Sequence, residues 1–287
     1  MGGGVIYPPV KISVSQHLST VVPIFTLLTL SYIVAYQVAK NSIIILPPVA
    51  AEFCSEKESI CSRPDLFAFQ VASGVAIYSA AAVSILAWYQ FKASGPLPTT
   101  LEGRMYGWHN YAYKIAVINF TFQLWDFFVS LMIPEHCTAV FLCHHIFAAL
   151  TAWIAMNNQI NIYYGIFYLG LTEVSSTFLV FVDLGKFFPP SEGTLFHLLE
   201  SMCKYGFAIS FVWFRVILWW KISFEMWTDF YHLWKKDDNS EGSYSKMRPG
   251  KWYVPFYYII GSIGFGLLQL FWAMKVLEAS AEHLESN

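Results

Sequence analysis

Cys143-His144-His145-Ile146 is the stretch on which the architecture of this chain depends, together with Leu171-Thr172-Glu173-Val174-Ser175-Ser176 further along. These stretches place two adjacent histidines and a carboxylate in segments that are otherwise apolar enough to sit in lipid. Ionisable groups at membrane depth are costly, and by default they mark functional sites. The two stretches therefore predict a membrane-embedded fold with an interior site.

The composition of the 287-residue chain also indicates a membrane protein. Hydrophobic residues make up 56% and charged residues only 13%, and the mean hydropathy is +0.48. These values fit a polytopic membrane protein better than a soluble domain. The net charge of -2 shows no basic excess, so the sequence predicts no nucleic-acid partner.

Seven stretches predict an all-α, polytopic transmembrane bundle, because a helix needs about 20 mainly apolar residues to cross roughly 30 Å of hydrocarbon. No Asp, Glu, Lys or Arg occurs between Cys137 and Thr172, and Asn157–Asn161 divides that run into two spans. The other spans are predicted at about 18–39, 66–90, 114–133, 204–221 and 252–274. The first is expected to be retained, because its uncharged stretch is too long for a signal-peptide core.

The spans suggest three regions. Residues 1–100 carry two spans and a polar loop with Cys54 and Cys61, residues 101–279 form the main bundle, and residues 280–287 form a short acidic tail. Cys54 and Cys61 are predicted to form a disulfide if their loop faces an oxidising lumen, and two free thiols are the alternative. Lys and Arg are more frequent in the connections on the N-terminal side, which favours a cytoplasmic N-terminus.

The ionisable groups of the later spans are predicted to lie at one depth. Depth can be counted from each connecting turn, because a helix rises about 1.5 Å per residue. This count predicts that four consecutive helices bring five groups to a shared interior cavity: Asp126, His144, His145, Glu173 and Arg215.

Several roles are open to this layer. A neutral imidazole held by a carboxylate can act as a general base or accept an acyl group, so His144, His145, Glu173 and Asp126 are candidate catalytic residues. Glu173, Ser176 and Thr177 share a helical face, and the candidate lipid-binding residues are Thr172, Ser176, Thr177 and Arg215.

Two other interpretations of the layer are a purely structural role and a metal site. The histidines could hydrogen-bond neighbouring helices, with Asp126 and Arg215 as a structural pair. Adjacent histidines point about 100° apart on a helix, so only one could serve a mononuclear metal, and no metal site is predicted.

The order and spacing of several short motifs resemble the TLC-domain family, which includes ceramide synthases, the translocation-associated TRAM proteins and small lipid-homeostasis proteins. The resemblance runs from about Tyr111 to Ala279. It rests on Trp125-Asp126, His144-His145, Leu171 to Phe178, Phe214-Arg215-Val216-Ile217, and Leu268-Gln269-Leu270-Phe271-Trp272 with Lys275.

The resemblance is to the non-synthase members of this family. Ceramide synthases carry a His-Asp-x-x-Asp signature after the double histidine, and Thr172, Glu173 and Ser176 stand at the comparable positions here. The resemblance implies a TLC-type bundle in the endoplasmic reticulum or another endomembrane, with the plasma membrane as an alternative. It implies a role in membrane lipid homeostasis, including sphingolipids, with membrane lipids as partners and no cofactor.

The sequence leaves the activity, the membrane orientation and the class of membrane protein open. The alternative function is a divergent acyl-CoA-dependent N-acyltransferase, with acyl-CoA and a long-chain base as substrates. Many seven-span family members are expected to have a cytoplasmic C-terminus, which is opposite to the orientation that the charges favour. A seven-helix receptor or retinal protein is a third reading, although Lys275 lies at the edge of the last span and not at mid-membrane, where a Schiff base would be expected.

Overall fold

The structure is a computed structural model that describes residues 12–41, 63–93, 98–188, 190, 193–236, 240 and 243–285, and no strand occurs in this part of the chain. Its helices are α1 (Val14–Lys40), α2 (Pro64–Lys92), α3 (Leu101–Tyr106), α4 (Asn110–Ser130), α5 (Ala139–Asn158), α6 (Ile162–Ile166), α7 (Glu173–Phe187), α8 (Leu195–Phe211), α9 (Leu218–Trp234), α10 (Tyr244–Met247) and α11 (Tyr253–Glu285). The π-helical segment π1 (Phe167–Leu171) joins α6 to α7, and π2 (Val212–Ile217) joins α8 to α9.

The described residues include six helices that are long and apolar enough to cross a membrane: Val14–Lys40, Pro64–Lys92, Ala139–Asn158, Ile162–Phe187, Leu195–Trp234 and Tyr253–Glu278. Helix α4 is a seventh long helix, with 21 residues. A stripe of buried polar side chains lowers its hydropathy. The predicted all-α, polytopic transmembrane bundle is confirmed.

The sixth predicted span, 204–221, lies within a much longer helix. The continuous α8–α9 helix has 40 residues, so it is about 60 Å long and exceeds the roughly 45 Å of a whole bilayer. The prediction of 204–221 followed apolarity and therefore stopped at Lys204 and Lys221. The helix begins earlier because Thr194 caps its first turn, accepting a hydrogen bond from the His197 amide.

Helix packing leaves a space near the middle of the bundle. Helix α1 packs against α2 and α4, α2 against α4 and α7, α4 against α5, and α7 against α8. Helix α11 packs against α8, π2 and α9, and it meets α5 through stacked Phe147 and Tyr257 rings with centroids 5.4 Å apart. This space lies between α2, α4, α5, α7, α8 and α11.

Buried polar contacts close one end of the bundle. Asp229 accepts two hydrogen bonds from Arg104, at 2.7 and 2.6 Å, and one from the Tyr164 hydroxyl at 2.6 Å. Arg248 is only 4% exposed, and it donates to the carbonyl oxygens of Asn158 and Gln159 at 2.7 and 2.6 Å. These contacts tie α3, α6 and α9 together and cap the end of α5.

The other end is held by an ion pair between the start of α2 and the α4–α5 connection. Arg63 Nη2 donates to Glu135 Oε2 at 2.8 Å, and this contact lowers the pKa of Glu135 to about 2. Glu135 is therefore ionised throughout the neutral range. Cys54 and Cys61 lie outside the described residues, so their predicted disulfide stays a prediction.

Gly170→Ala is expected to destabilise the bundle, because π1 and α2 touch at this glycine. A Cβ atom at Gly170 would lie 2.5 Å from Ser84 Cβ and 3.1 Å from Ile115 Cγ2. Overpacking of this kind costs about 1–3 kcal/mol, measurable as a lower unfolding midpoint in detergent. A Cβ at Gly165 would meet nothing within 4 Å, so Gly165→Ala is the matched control. Equal midpoints for the two variants would contradict the packing described here.

Candidate functional site

A cavity of about 980 Å³ occupies the space between the helices. We call it the wide cavity. Its walls are largely apolar and include Ile77, Leu179, Val180, Phe207, Phe211 and Trp272. Asp126, His144, His145, Glu173 and Arg215 also line it. The structure thus brings together the five ionisable groups that depth counting placed in one layer.

His145 is held between two side chains of α4. Its Nδ1 lies 2.6 Å from Gln123 Oε1, and because an amide oxygen can only accept, Nδ1 carries the proton and donates. His145 Nε2 lies 3.5 Å from Asp126 Oδ1, and Asp126 Oδ1 accepts a hydrogen bond from Ser130 Oγ at 2.7 Å. With the proton on Nδ1, Nε2 carries a lone pair, and this buried nitrogen has no hydrogen-bond partner among the described residues.

His144 points away from this cluster and towards α11. Its ring makes edge-to-face contacts with Phe265 and Trp272, at centroid distances of 5.4 and 5.5 Å. Its Nδ1 is buried and has no hydrogen-bond partner among the described residues. The adjacent histidines therefore differ in environment: His145 is fixed by α4, and His144 offers a free nitrogen beside aromatic rings.

Arg215 and α7 form the second half of the layer. Arg215 Nε donates to Ser175 Oγ at 2.8 Å, and Nη2 donates to Ser176 Oγ at 2.7 Å. Glu173 Oε2 lies 3.6 Å from Nη2. The predicted alternative of an Asp126–Arg215 pair is wrong, because Asp126 contacts His145 and Ser130 while Arg215 pairs with Glu173.

Both π-helical segments lie next to this pair. Arg215 belongs to π2, and π1 ends immediately before Thr172 and Glu173. π-Helical turns are rare and are frequent at functional sites. Here each one shifts the side chains that follow it around the helix axis, in the two helices that supply Glu173 and Arg215.

A second, smaller chamber lies beyond the layer, with a volume of about 70 Å³. Gln123, His144, Glu173 and Arg215 line both this small chamber and the wide cavity. They form the partition between the two spaces. Polar side chains farther into the small chamber come from α4, α5, π1 and α11, and include Asn119, Thr151, Tyr168, Tyr258, Ser262 and Gln269.

Basic residues line the opposite end of the wide cavity. Lys186, Lys204 and Lys275 reach it from α7, α8 and α11. Glu173 and Lys186 are thirteen residues apart in one helix, so the cavity extends about 20 Å from the layer to this end. His136, in the α4–α5 connection, also lines the cavity, and burial lowers the pKa of its imidazole so that it is neutral at pH 7.

The remaining predicted site residues lie in different places. Ser176 lines the wide cavity and Thr172 the small chamber. The Thr172 hydroxyl donates to the Tyr168 carbonyl oxygen of the preceding turn. The Thr177 hydroxyl donates to the Val174 carbonyl oxygen. Thr177 lines neither the wide cavity nor the small chamber. Whether any of them binds lipid stays a prediction.

Sequence reasoning missed four polar residues of the site: Asn119, Gln123, Ser130 and Ser175. The signal for three of them was present, because Asn119, Gln123, Asp126 and Ser130 follow one another at spacings of four, three and four. Such spacing places all four on one helical face, and all four are buried. Among the described residues, no group of three or more His, Cys, Asp or Glu side chains could hold a metal ion.

Comparison with known proteins identifies a family. A family model described as the TLC domain matches residues 67–278, which include most of α2, the whole polar layer and the residues that line both cavities. No curated protein matches the chain.

Proposed function

This chain belongs to the TLC-domain family, and we propose that it acts in membrane lipid homeostasis by binding a lipid or an acyl chain inside its helix bundle. The observation that carries the proposal is the wide cavity of about 980 Å³. Ligand pockets are mostly apolar with a few placed polar groups, and they span about 300–1,000 Å³. An internal membrane such as the endoplasmic reticulum is the proposed location.

The cavity has apolar walls and a polar layer at one end, and this arrangement favours a lipid over a soluble metabolite as its ligand. Apolar side chains of α7, α8 and α11 would accompany a hydrocarbon chain along the wall, and burying each CH₂ group contributes about 0.8 kcal/mol. The polar layer at the end would orient an ester, amide or hydroxyl group of the ligand. His145 Nε2 and His144 Nδ1 are the nitrogens available for such a contact.

His145→Ala is expected to change which lipids the protein retains, because it removes the imidazole that Gln123 orients towards the cavity. Native mass spectrometry of the purified protein, with lipidomics of the bound fraction, measures this directly. We expect retained lipid to fall by roughly three- to tenfold, the value of one lost hydrogen bond. His232→Ala is the control, because His232 is exposed on α9. Identical bound lipids in wild type and His145→Ala would count against the proposal.

The second candidate function is a divergent acyl-CoA-dependent N-acyltransferase. Two observations favour it. Gln123 holds the Nδ1–H of His145 at 2.6 Å, which leaves Nε2 unprotonated. Three lysines line the far end of the same cavity, although Lys204 and Lys275 also pair with Glu200 and Glu278. Lysine ammonium groups suit phosphates such as those of coenzyme A. In this reading His145 Nε2 would take the proton of an attacking amine or accept the acyl group itself.

Incubation of the purified protein with labelled oleoyl-CoA and a panel of long-chain bases tests the second function. Activity predicts a labelled amide product, an acyl-enzyme, or both, and their loss in His145→Ala. The absence of both species in the wild-type protein would sink the acyltransferase reading and leave the lipid-binding proposal in place.

A further inference from the structure

The small chamber presents more hydrogen-bond acceptors than the described residues satisfy. Asn119 Oδ1, Tyr258 Oη and Gln269 Oε1 are buried without a hydrogen-bond partner among the described residues. The three residues are 3%, 6% and 2% exposed, and all of them line the chamber. Buried polar atoms are nearly always hydrogen-bonded, and each exception calls for an explanation.

The orientation of Asn119 fixes which amide atom is free. Its Nδ2 donates to the Leu169 carbonyl oxygen of π1 at 3.2 Å, so Oδ1 is the unpartnered atom, and an amide oxygen can only accept. Gln269 also leaves its oxygen unpartnered. Any group that pairs with these two oxygens must therefore bring N–H or O–H donors.

The charges around the chamber argue against an ionic occupant. Glu173 and Arg215 line it, but they lie 3.6 Å apart and offset each other's charge. A phosphate or carboxylate would place more acceptors against Asn119 and Gln269. An ammonium group would need an unpaired carboxylate, because burying an uncompensated charge is costly.

The size of the chamber limits what can enter. A cavity needs about 10–15 Å³ to hold one water-sized group. The chamber of about 70 Å³ therefore has room for several small polar groups. It is too small for a hydrocarbon chain. The wide cavity begins at the partition formed by Gln123, His144, Glu173 and Arg215, and it supplies space for a chain.

We propose that the small chamber binds an uncharged lipid head group that carries two or more hydrogen-bond donors, such as the hydroxyls of a monoacylglycerol. The donors pair with Asn119 Oδ1 and Gln269 Oε1, and the chain runs from the partition along the wide cavity. Tyr258 is eleven residues from Gln269 on α11, about 16 Å along the helix axis, so it lies beyond the reach of the same head group. The inference rests on the proposed function, since it assumes that the bundle binds a lipid, and it names the chemical class of that lipid.

The test compares two probes with the same chain, monooleoylglycerol and methyl oleate, in binding to the full-length protein in nanodiscs. Monooleoylglycerol offers two hydroxyl donors and methyl oleate offers none. We expect wild type to bind monooleoylglycerol about tenfold more tightly. Gln269→Leu and Asn119→Leu should each reduce this preference roughly threefold or more, while binding of methyl oleate stays unchanged.

Asn158→Leu is the matched control. Like Asn119, Asn158 is buried, its Nδ2 donates to a backbone carbonyl oxygen, and its Oδ1 has no partner among the described residues. Unlike Asn119, it does not line the small chamber. The Asn158→Leu variant should prefer monooleoylglycerol over methyl oleate as strongly as wild type does. Asn119 lies on α4 and Gln269 on α11, so Asn119→Leu remains informative if Gln269→Leu fails to fold.

Two results would overturn this inference and spare the proposed function: equal binding of the two probes by wild type, or an equal loss of both probes in Gln269→Leu and Asn119→Leu. If neither probe nor any co-purified lipid binds to wild type, the proposed function fails as well.

Discussion

Arg215→Ala is expected to destabilise the protein by about 3–5 kcal/mol, the cost of removing one partner of a buried ion pair. The variant leaves the Glu173 carboxylate without its cation, although both side chains are only 12% exposed. It also removes the hydrogen bonds to Ser175 and Ser176 that join π2 to α7. The free energy of unfolding in mixed micelles measures the loss, and a variant that yields no folded protein would agree with it.

A double variant separates the unpaired charge from the lost packing. Glu173→Gln combined with Arg215→Met removes both charges while keeping similar volumes, and it should recover most of the lost stability, because such replacements are often neutral. Lys221→Ala, at an exposed position of the same helix, is the control and should change stability by less than about 0.5 kcal/mol. A loss in Arg215→Ala no larger than in this control would contradict the ion pair.

Leu179→Trp is expected to reduce lipid binding at least about tenfold, because it fills the middle of the proposed chain path. Leu179 lines the wide cavity, and an indole there would occupy space that an acyl chain needs. The indole enters open space instead of a packed core, so the loss of stability should stay below the roughly 1–3 kcal/mol that overpacking costs. Binding of a labelled fatty acid, measured together with the unfolding midpoint, gives both quantities.

Leu267→Trp is the matched control for this prediction. Leu267 is 59% exposed on α11, so an indole there would face outwards and leave the wide cavity unchanged. Lipid binding should equal that of wild type. Equal binding by Leu179→Trp and Leu267→Trp would show that the ligand does not occupy the wide cavity.

Much of the fold could be predicted because apolar run length is a direct physical requirement for crossing a membrane. The helix breaks were also readable, since Asn157–Asn161 interrupts the longest uncharged run, and Gln159 and Asn161 adopt left-handed backbone angles there. The extension of α8–α9 to Leu195 and Trp234 was not predictable from apolarity, because caps and tertiary contacts determine those helix ends. The roles of Arg104 and Arg248 likewise depend on partners that are distant in sequence.

The sequence predicted the membrane depth of the site residues but not which of them contact each other. Counting from turns brought Asp126, His145, Glu173 and Arg215 to one level, and the structure lines one cavity with them. Depth alone does not say which groups face each other, because that depends on helix rotation and on the two π-helical segments. For this reason the Asp126–Arg215 pair was wrong, while Gln123 and Ser175, which orient His145 and Arg215, were overlooked.

Site-resolved photo-crosslinking with a diazirine-labelled fatty acid tests whether a lipid chain occupies the wide cavity. We expect labels on cavity-lining positions such as Leu179, Phe207 and Trp272, and their loss in Leu179→Trp and under competition by unlabelled fatty acid. Labelling confined to outward-facing positions such as Leu267, and insensitive to Leu179→Trp, would contradict it.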